Sequence, residues 1–168
     1  MAMTVYIQID KKEWKPGVFM IPIEYKHLSD KFAEYMAKTM AEEVQKAIRR
    51  QRYSSKWAPL TISYKIYKTT HNLSTNTWEA TGTLRKSITY WKKGDQYIIG
   101  IPPRKIYHKS GIPVMTVAKY LEYGTSKMPP RPLFRPIASY LQKNIRRYWE
   151  KFFKHLPDAD KKGVKATR

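Results

Sequence analysis

Between residues 123 and 136 the chain reads Tyr-Gly-Thr-Ser-Lys-Met-Pro-Pro-Arg-Pro-Leu-Phe-Arg-Pro, with four prolines and a glycine among three basic residues. No other stretch restricts the backbone so tightly. Each proline fixes its own φ near −65° and drives the residue before it out of the α region, so Met128, Pro129, Arg131 and Arg135 are expected to be extended and the segment non-helical. Helical patterns flank it on both sides. The fold must therefore contain two helices joined by a stiff, basic strap. Arg131 and Arg135, four apart across Pro132, are not expected to share a helix face. Bidentate pairing with carboxylates or carbonyls of a neighbouring subunit is their expected role.

A chain of 168 residues, 42% hydrophobic and 14% aromatic, holds enough apolar material for one core. Residues 1–156 are expected to form a single domain, 1–26 as an N-terminal strand or arm, with 157–168 a basic flexible tail. The absence of cysteine excludes disulfide staples and cysteine-ligated zinc or iron–sulfur. Neither a secretory leader nor an apolar run of membrane-spanning length can be read, so a soluble protein with no membrane partner is expected. Thirty-three Lys and Arg against thirteen Asp and Glu give a net charge of +20. Such an imbalance predicts a polyanionic neighbour. Residues 131–168 alone carry eleven Lys and Arg against Glu150, Asp158 and Asp160. Solvated helix faces and a basic tail are the plainer account of that run.

Thr4 to Asp10 alternates apolar and polar residues as a half-buried strand does. Val18 to Tyr25 is apolar but interrupted by Pro22, which restricts it to a sheet edge or an extended arm. Ser29 is a candidate N-cap, and Phe32, Met36, Met40, Val44 and Ala47 recur on one face of a helix reaching Arg52. A short periodic piece follows at Ile62 to Lys68. Ile88–Lys92 and Gln96–Ile101, on either side of Lys93-Gly94-Asp95, read as a β-hairpin. Thr116 to Tyr123 reads as a short helix ended by Gly124. From Pro136 to His155 one amphipathic helix is expected. Ile137, Leu141, Ile145, Tyr148, Phe152 and Leu156 fall in one arc, and Lys143, Arg146, Arg147, Lys151 and Lys154 fall opposite. The predicted class is α+β: an antiparallel β-sheet with a long N-terminal helix and an amphipathic C-terminal helix packed against it.

Residues that carry chemistry are sparse. His27, His71, His108 and His155 stand apart from one another and from carboxylates at metal-ligand spacing, so no metal site is expected. The seven glycines form neither GxGxxG nor a phosphate loop, and no GxSxG elbow occurs. No cofactor and no catalytic residue is predicted. Aromatics interleaved with Lys and Arg suit base stacking. For Trp57 and Tyr148, a place in the core or at a subunit interface is the stronger reading.

Taken in order, a long helix, the Trp-x-Pro-Leu step at Trp57 to Leu60, Thr81-Gly-x-Leu-Arg-x-Ser-Ile88, a hairpin, Tyr123-Gly-Thr and Pro130-Arg-Pro-x-Phe-Arg-Pro form a series. That series resembles the neck and tail-completion proteins of tailed bacteriophages, the virion-morphogenesis family that joins head to tail. The resemblance covers roughly residues 29–150. It implies a compact α+β fold and a structural, non-enzymatic subunit of a homo-oligomeric ring in the virion, assembled in the host cytoplasm. The ring would contact portal or head–tail adaptor proteins on one side and tail tube or terminator proteins on the other. On this reading Tyr123, Gly124, Thr125, Pro130, Arg131, Pro132, Phe134, Arg135 and Pro136 are interface residues. Lys143, Arg146, Arg147, Lys151 and Lys154 face the double-stranded genome, without base specificity, or an acidic partner. Two departures stand out. Arg104 to Met115 is longer than the family's approach to Tyr-Gly-Thr, with Tyr107-His108 in place of a Tyr-Ala pair. Residues 1–26 have no counterpart and are expected to lie across a neighbouring subunit.

Three alternatives remain beside this reading. The chain could be a tail terminator or head-side stopper with the same ring architecture, or a sequence-nonspecific nucleic-acid-binding protein acting alone. An undetected hydrolase or nuclease ranks last, because thirteen carboxylates leave few for metal ligation.

Overall fold

The computed structural model describes residues 5–7 by their backbone, together with residues 29–94, 96–102 and 111–157. The expected proline-interrupted arm at Val18 to Tyr25, most of the loop before Gly111, and the tail from Asp158 lie outside the described residues.

The chain is α+β, with element order β1 (Val5–Ile7), α1 (Ser29–Arg49), α2 (Ile62–Thr70), α3 (Thr83–Ser87), β2 (Thr89–Lys93), β3 (Gln96–Gly100), α4 (Val114–Tyr123), α5 (Phe134–Lys143) and α6 (Ile145–Lys154). The hairpin pairs β2 and β3 antiparallel, Tyr90 opposite Ile99 and Lys92 opposite Tyr97. β1 adds a parallel strand on the other edge of β3, with Ile7 opposite Ile99. β3 is thus central, and Tyr97, Ile98, Ile99 and Gly100 are all buried.

α1 lies across the sheet because its apolar positions recur every three or four residues: Phe32, Ala33, Met36, Ala37, Met40, Ala41, Val44, Ala47 and Ile48 are all buried. The four alanines let neighbouring backbone approach closely. The helix stops at Arg49 rather than Arg52. Gln51 turns left-handed at φ 48°, and the N–H groups of Gln51 and Arg52 close back onto the carbonyls of Ile48 and Ala47. That is a Schellman end built on glutamine. The side chain compensates for the strained φ, since Gln51 donates to the Thr77 carbonyl at 2.9 Å and accepts from the Thr77 N–H at 3.0 Å.

The single C-terminal helix expected from Pro136 to His155 is instead two helices. Asn144 breaks it at φ −110°, ψ 15°, and its side-chain amide donates to the Tyr140 carbonyl at 2.7 Å. An asparagine amide competing for backbone carbonyls ends a helix readily. The apolar arc survives the break. Ile137 and Leu141 on α5 join the main core, whereas Phe152 and Leu156 form a second cluster with Phe32 and Met36 at the start of α1. Trp149 meets Phe32 edge-on there, with ring centroids 4.7 Å apart. α5 and α6 therefore run back along α1 toward its N-terminus.

The strap is shorter than its sequence implies. Phe134, Arg135 and Pro136 form the first turn of α5, so Arg135 is helical, not extended. Proline is tolerated there because no intrahelical donor is needed in a first turn.

Candidate functional site

The sequence nominates two regions, the strap and the basic helix face. In the strap, Gly124 sits at φ 75°, where an added Cβ would lie 2.8 Å from both the Met128 carbonyl oxygen and the Pro130 nitrogen. Glycine is required here on both counts. Beyond it Thr125 and Met128 bridge each other, the Thr125 N–H donating to the Met128 carbonyl at 2.8 Å. The Arg131 N–H then donates to the Leu121 carbonyl at 2.7 Å and turns the chain back against α4.

Arg131 is turned into its own chain. It is 4% exposed, and its guanidinium donates to the carbonyls of Ala58 at 2.9 Å and Pro59 at 3.2 Å in its own chain. Two indoles tie the strap from the other direction. Trp57 Nε1 donates to Pro132 O and Trp78 Nε1 to Arg131 O, each at 2.8 Å. Trp78 is buried and held at φ 64°. A bulky residue in that region stores strain that surrounding contacts must over-determine. Its ring also meets Phe134 edge-on at 5.8 Å. The Trp57 to Leu60 step and the Pro130-Arg-Pro step are thus two halves of one internal clasp.

Glu122, which the motif reading passes over, completes the clasp. Its carboxylate accepts the N–H groups of Leu133 at 2.7 Å, Phe134 at 3.1 Å and Arg135 at 3.2 Å. α5 has no side-chain cap of its own. The next residue, Pro136, has no N–H, so the free donors of that helix end are fully accounted for. Burial pushes the Glu122 carboxyl above its ordinary value, against those three donors and the Arg135 charge. Arg135 lies 3.8 Å from Glu122 and stacks over the Tyr123 ring at 4.9 Å. A signal was present in the sequence: Val114, Ala118 and Glu122 share the i, i+4 stripe that α4 buries.

Of the nine strap residues nominated for an interface, Arg131 and Phe134 are interior. Tyr123, Gly124, Pro132 and Pro136 are half-buried, and Thr125, Pro130 and Arg135 are exposed. The basic face is different. Lys143, Arg146, Arg147, Lys151 and Lys154 are all exposed. On α6, Arg147, Lys151 and Lys154 share one arc opposite Trp149 and Phe152, and Arg146 pairs with Glu150 at 3.3 Å.

Sequence reasoning also misses α2 as a surface feature. Its one buried residue is Lys68, whose ammonium donates to the carbonyls of Asn76 and Glu79, both at 2.7 Å. Burial pushes that ammonium below its ordinary value, against the Glu79 charge. Ile62 and Ile66 are 79% and 58% exposed. Between α2, α4 and the strap lies a largely apolar groove of about 460 Å³. Among the described residues no cluster of metal-ligating side chains occurs, and no helix is long and apolar enough to cross a membrane. Comparison with known protein families, curated proteins and solved structures finds no match for this chain.

Proposed function

We propose that this chain is a structural subunit of a tailed-phage virion, a neck or tail-completion protein whose identical copies form a ring joining head to tail around the DNA channel. The observation that carries the reading is the clasp. The Trp57 to Leu60 step, the Tyr123-Gly124-Thr125 turn and the Pro130-Arg131-Pro132 step bear the resemblance to that family; the first and last are bonded to each other, and the turn packs against the strap at Met128 and Pro130. Residues scattered over about half the chain and fastened to one another act as a unit of architecture. Head-to-tail contacts between rigid copies close into a ring when the rotation per subunit closes. The exposed ridge of Lys143, Arg147, Lys151 and Lys154 supplies a surface for phosphate or for an acidic portal, adaptor, terminator or tail-tube partner.

Electron microscopy of the intact particle tests the proposal. A ring of this subunit between portal and tail tube is the expected result; its absence there overturns the reading. Tail terminator and head-side stopper predict rings at neighbouring levels of the same junction. A sequence-nonspecific nucleic-acid-binding protein, which the basic ridge also suits, predicts salt-sensitive DNA binding by the purified monomer and no ring.

A further inference from the structure

We infer that the groove between α2 and α4 is the docking site for residues 18–25 of a second copy of this chain. The groove is walled by Leu60 and Tyr64 on one side, Tyr120 and Leu121 on another, and Met128 and Pro129 of the strap. Its charged groups are already engaged: Lys68 and Arg131 donate to carbonyls, and Glu79 holds Arg85 at 2.7 Å. An apolar segment can enter without stranding a buried charge. Lys127, exposed at the rim, is the charge left to select the occupant, and α2 itself carries lysines and no carboxylate.

The occupant is identified by chemistry and by reach. In a chain of net charge +20, Val18-Phe19-Met20-Ile21-Pro22-Ile23-Glu24-Tyr25 contains no Lys or Arg and one Glu. It matches the groove in apolar character and its rim in charge. Pro22 biases Ile21 toward extended backbone, the form that lies along a groove. The same copy cannot supply the whole segment. The groove lies at the C-terminal end of α1, where Thr77, one of its lining residues, is bonded to Gln51. Ser29 begins that 21-residue helix, whose two ends stand about 30 Å apart at 1.5 Å per residue. Ile23 stands six residues before Ser29, at most roughly 20 Å of extended chain. Tyr25 is closer still. Val18 and Phe19 could span about 30 Å, but Ile23 to Tyr25 could not, so the segment can enter whole only from another molecule.

This inference rests on copies of the chain associating, and its test is separable from particle imaging. The chain has no cysteine, so single thiols report unambiguously. Ile23→Cys copies mixed with Tyr120→Cys copies and mildly oxidised should give a disulfide-linked mixed dimer. Its yield should exceed at least ten-fold that from Ile23→Cys with a thiol at exposed Ser55. Met128→Asp, within the groove, should weaken self-association in sedimentation at least ten-fold while leaving the melting temperature within a few degrees. A mixed yield no higher than the Ser55 control overturns the inference. So does an internal disulfide in the doubly substituted chain, or Tyr120→Cys self-dimers in excess of mixed ones. A ring at the head–tail junction without the cross-link overturns the groove alone; the cross-link without a ring overturns the virion reading alone.

Discussion

Glu122 and Gly124, two residues apart, decide whether the strap can form. Replacing Glu122 by alanine strips three N–H groups of their acceptor and should cost about 3 kcal/mol or more. Glutamine keeps one acceptor oxygen and should cost about 1–2 kcal/mol, both read from thermal or denaturant melts. The carboxyl also makes stability depend on pH. Because burial raises its folded pKa above the ordinary 4.5, the folded chain holds that proton more tightly than the unfolded chain. The resulting stabilisation is fully present below 4.5 and is lost as pH rises through the folded pKa. Melts of wild type and Glu122→Gln between about pH 4 and pH 8 should therefore show the wild-type advantage shrinking as pH rises. An advantage that grows with pH would mean the three N–H donors outweigh desolvation. Gly124→Ala meets both a positive φ and a collision with Met128 O, and should cost at least about 1–3 kcal/mol in the same melts.

Among the elements, α6 separates its two jobs by face. Reversing Arg147, Lys151 and Lys154 to glutamate touches no buried residue and should shift stability by no more than about 0.5 kcal/mol per site. If the ridge faces the genome, the slope of log affinity for duplex DNA against log salt should fall by about 0.9 for each phosphate left without its basic partner. An unchanged slope in an anisotropy titration assigns the ridge to a protein partner or to solvent. The same helix illustrates what sequence periodicity reveals. α1, the hairpin and the apolar arc of α5 and α6 are legible because local patterns at spacings of two, three and four residues set them. The break at Asn144 is not, since one side-chain amide decides it without disturbing the arc. The inward turn of Arg131 is hidden for another reason: its acceptors, Ala58 and Pro59, lie more than 70 residues away, beyond any local pattern. Glu122 is visible in principle as a carboxylate on a buried stripe, but its three donors sit across the strap.

For the whole molecule, long-range bonds concentrate at one end of α1, where the clasp joins residues 57–59 to 131–132, and α5 and α6 return along the helix to seal the other end. A chain ending at residue 130 lacks Arg131, the acceptors for both indoles, and the helix that Glu122 caps. Such a fragment should show no cooperative melt in calorimetry, whereas removing the residues after Pro157 should leave the transition in place. The clasp also orders events on the ribosome. Trp57 and Trp78 emerge long before their acceptors and must wait for the last quarter of the polypeptide. An interrupted translation product therefore leaves both indoles without their carbonyl acceptors, and only chains that reach the strap can close the clasp.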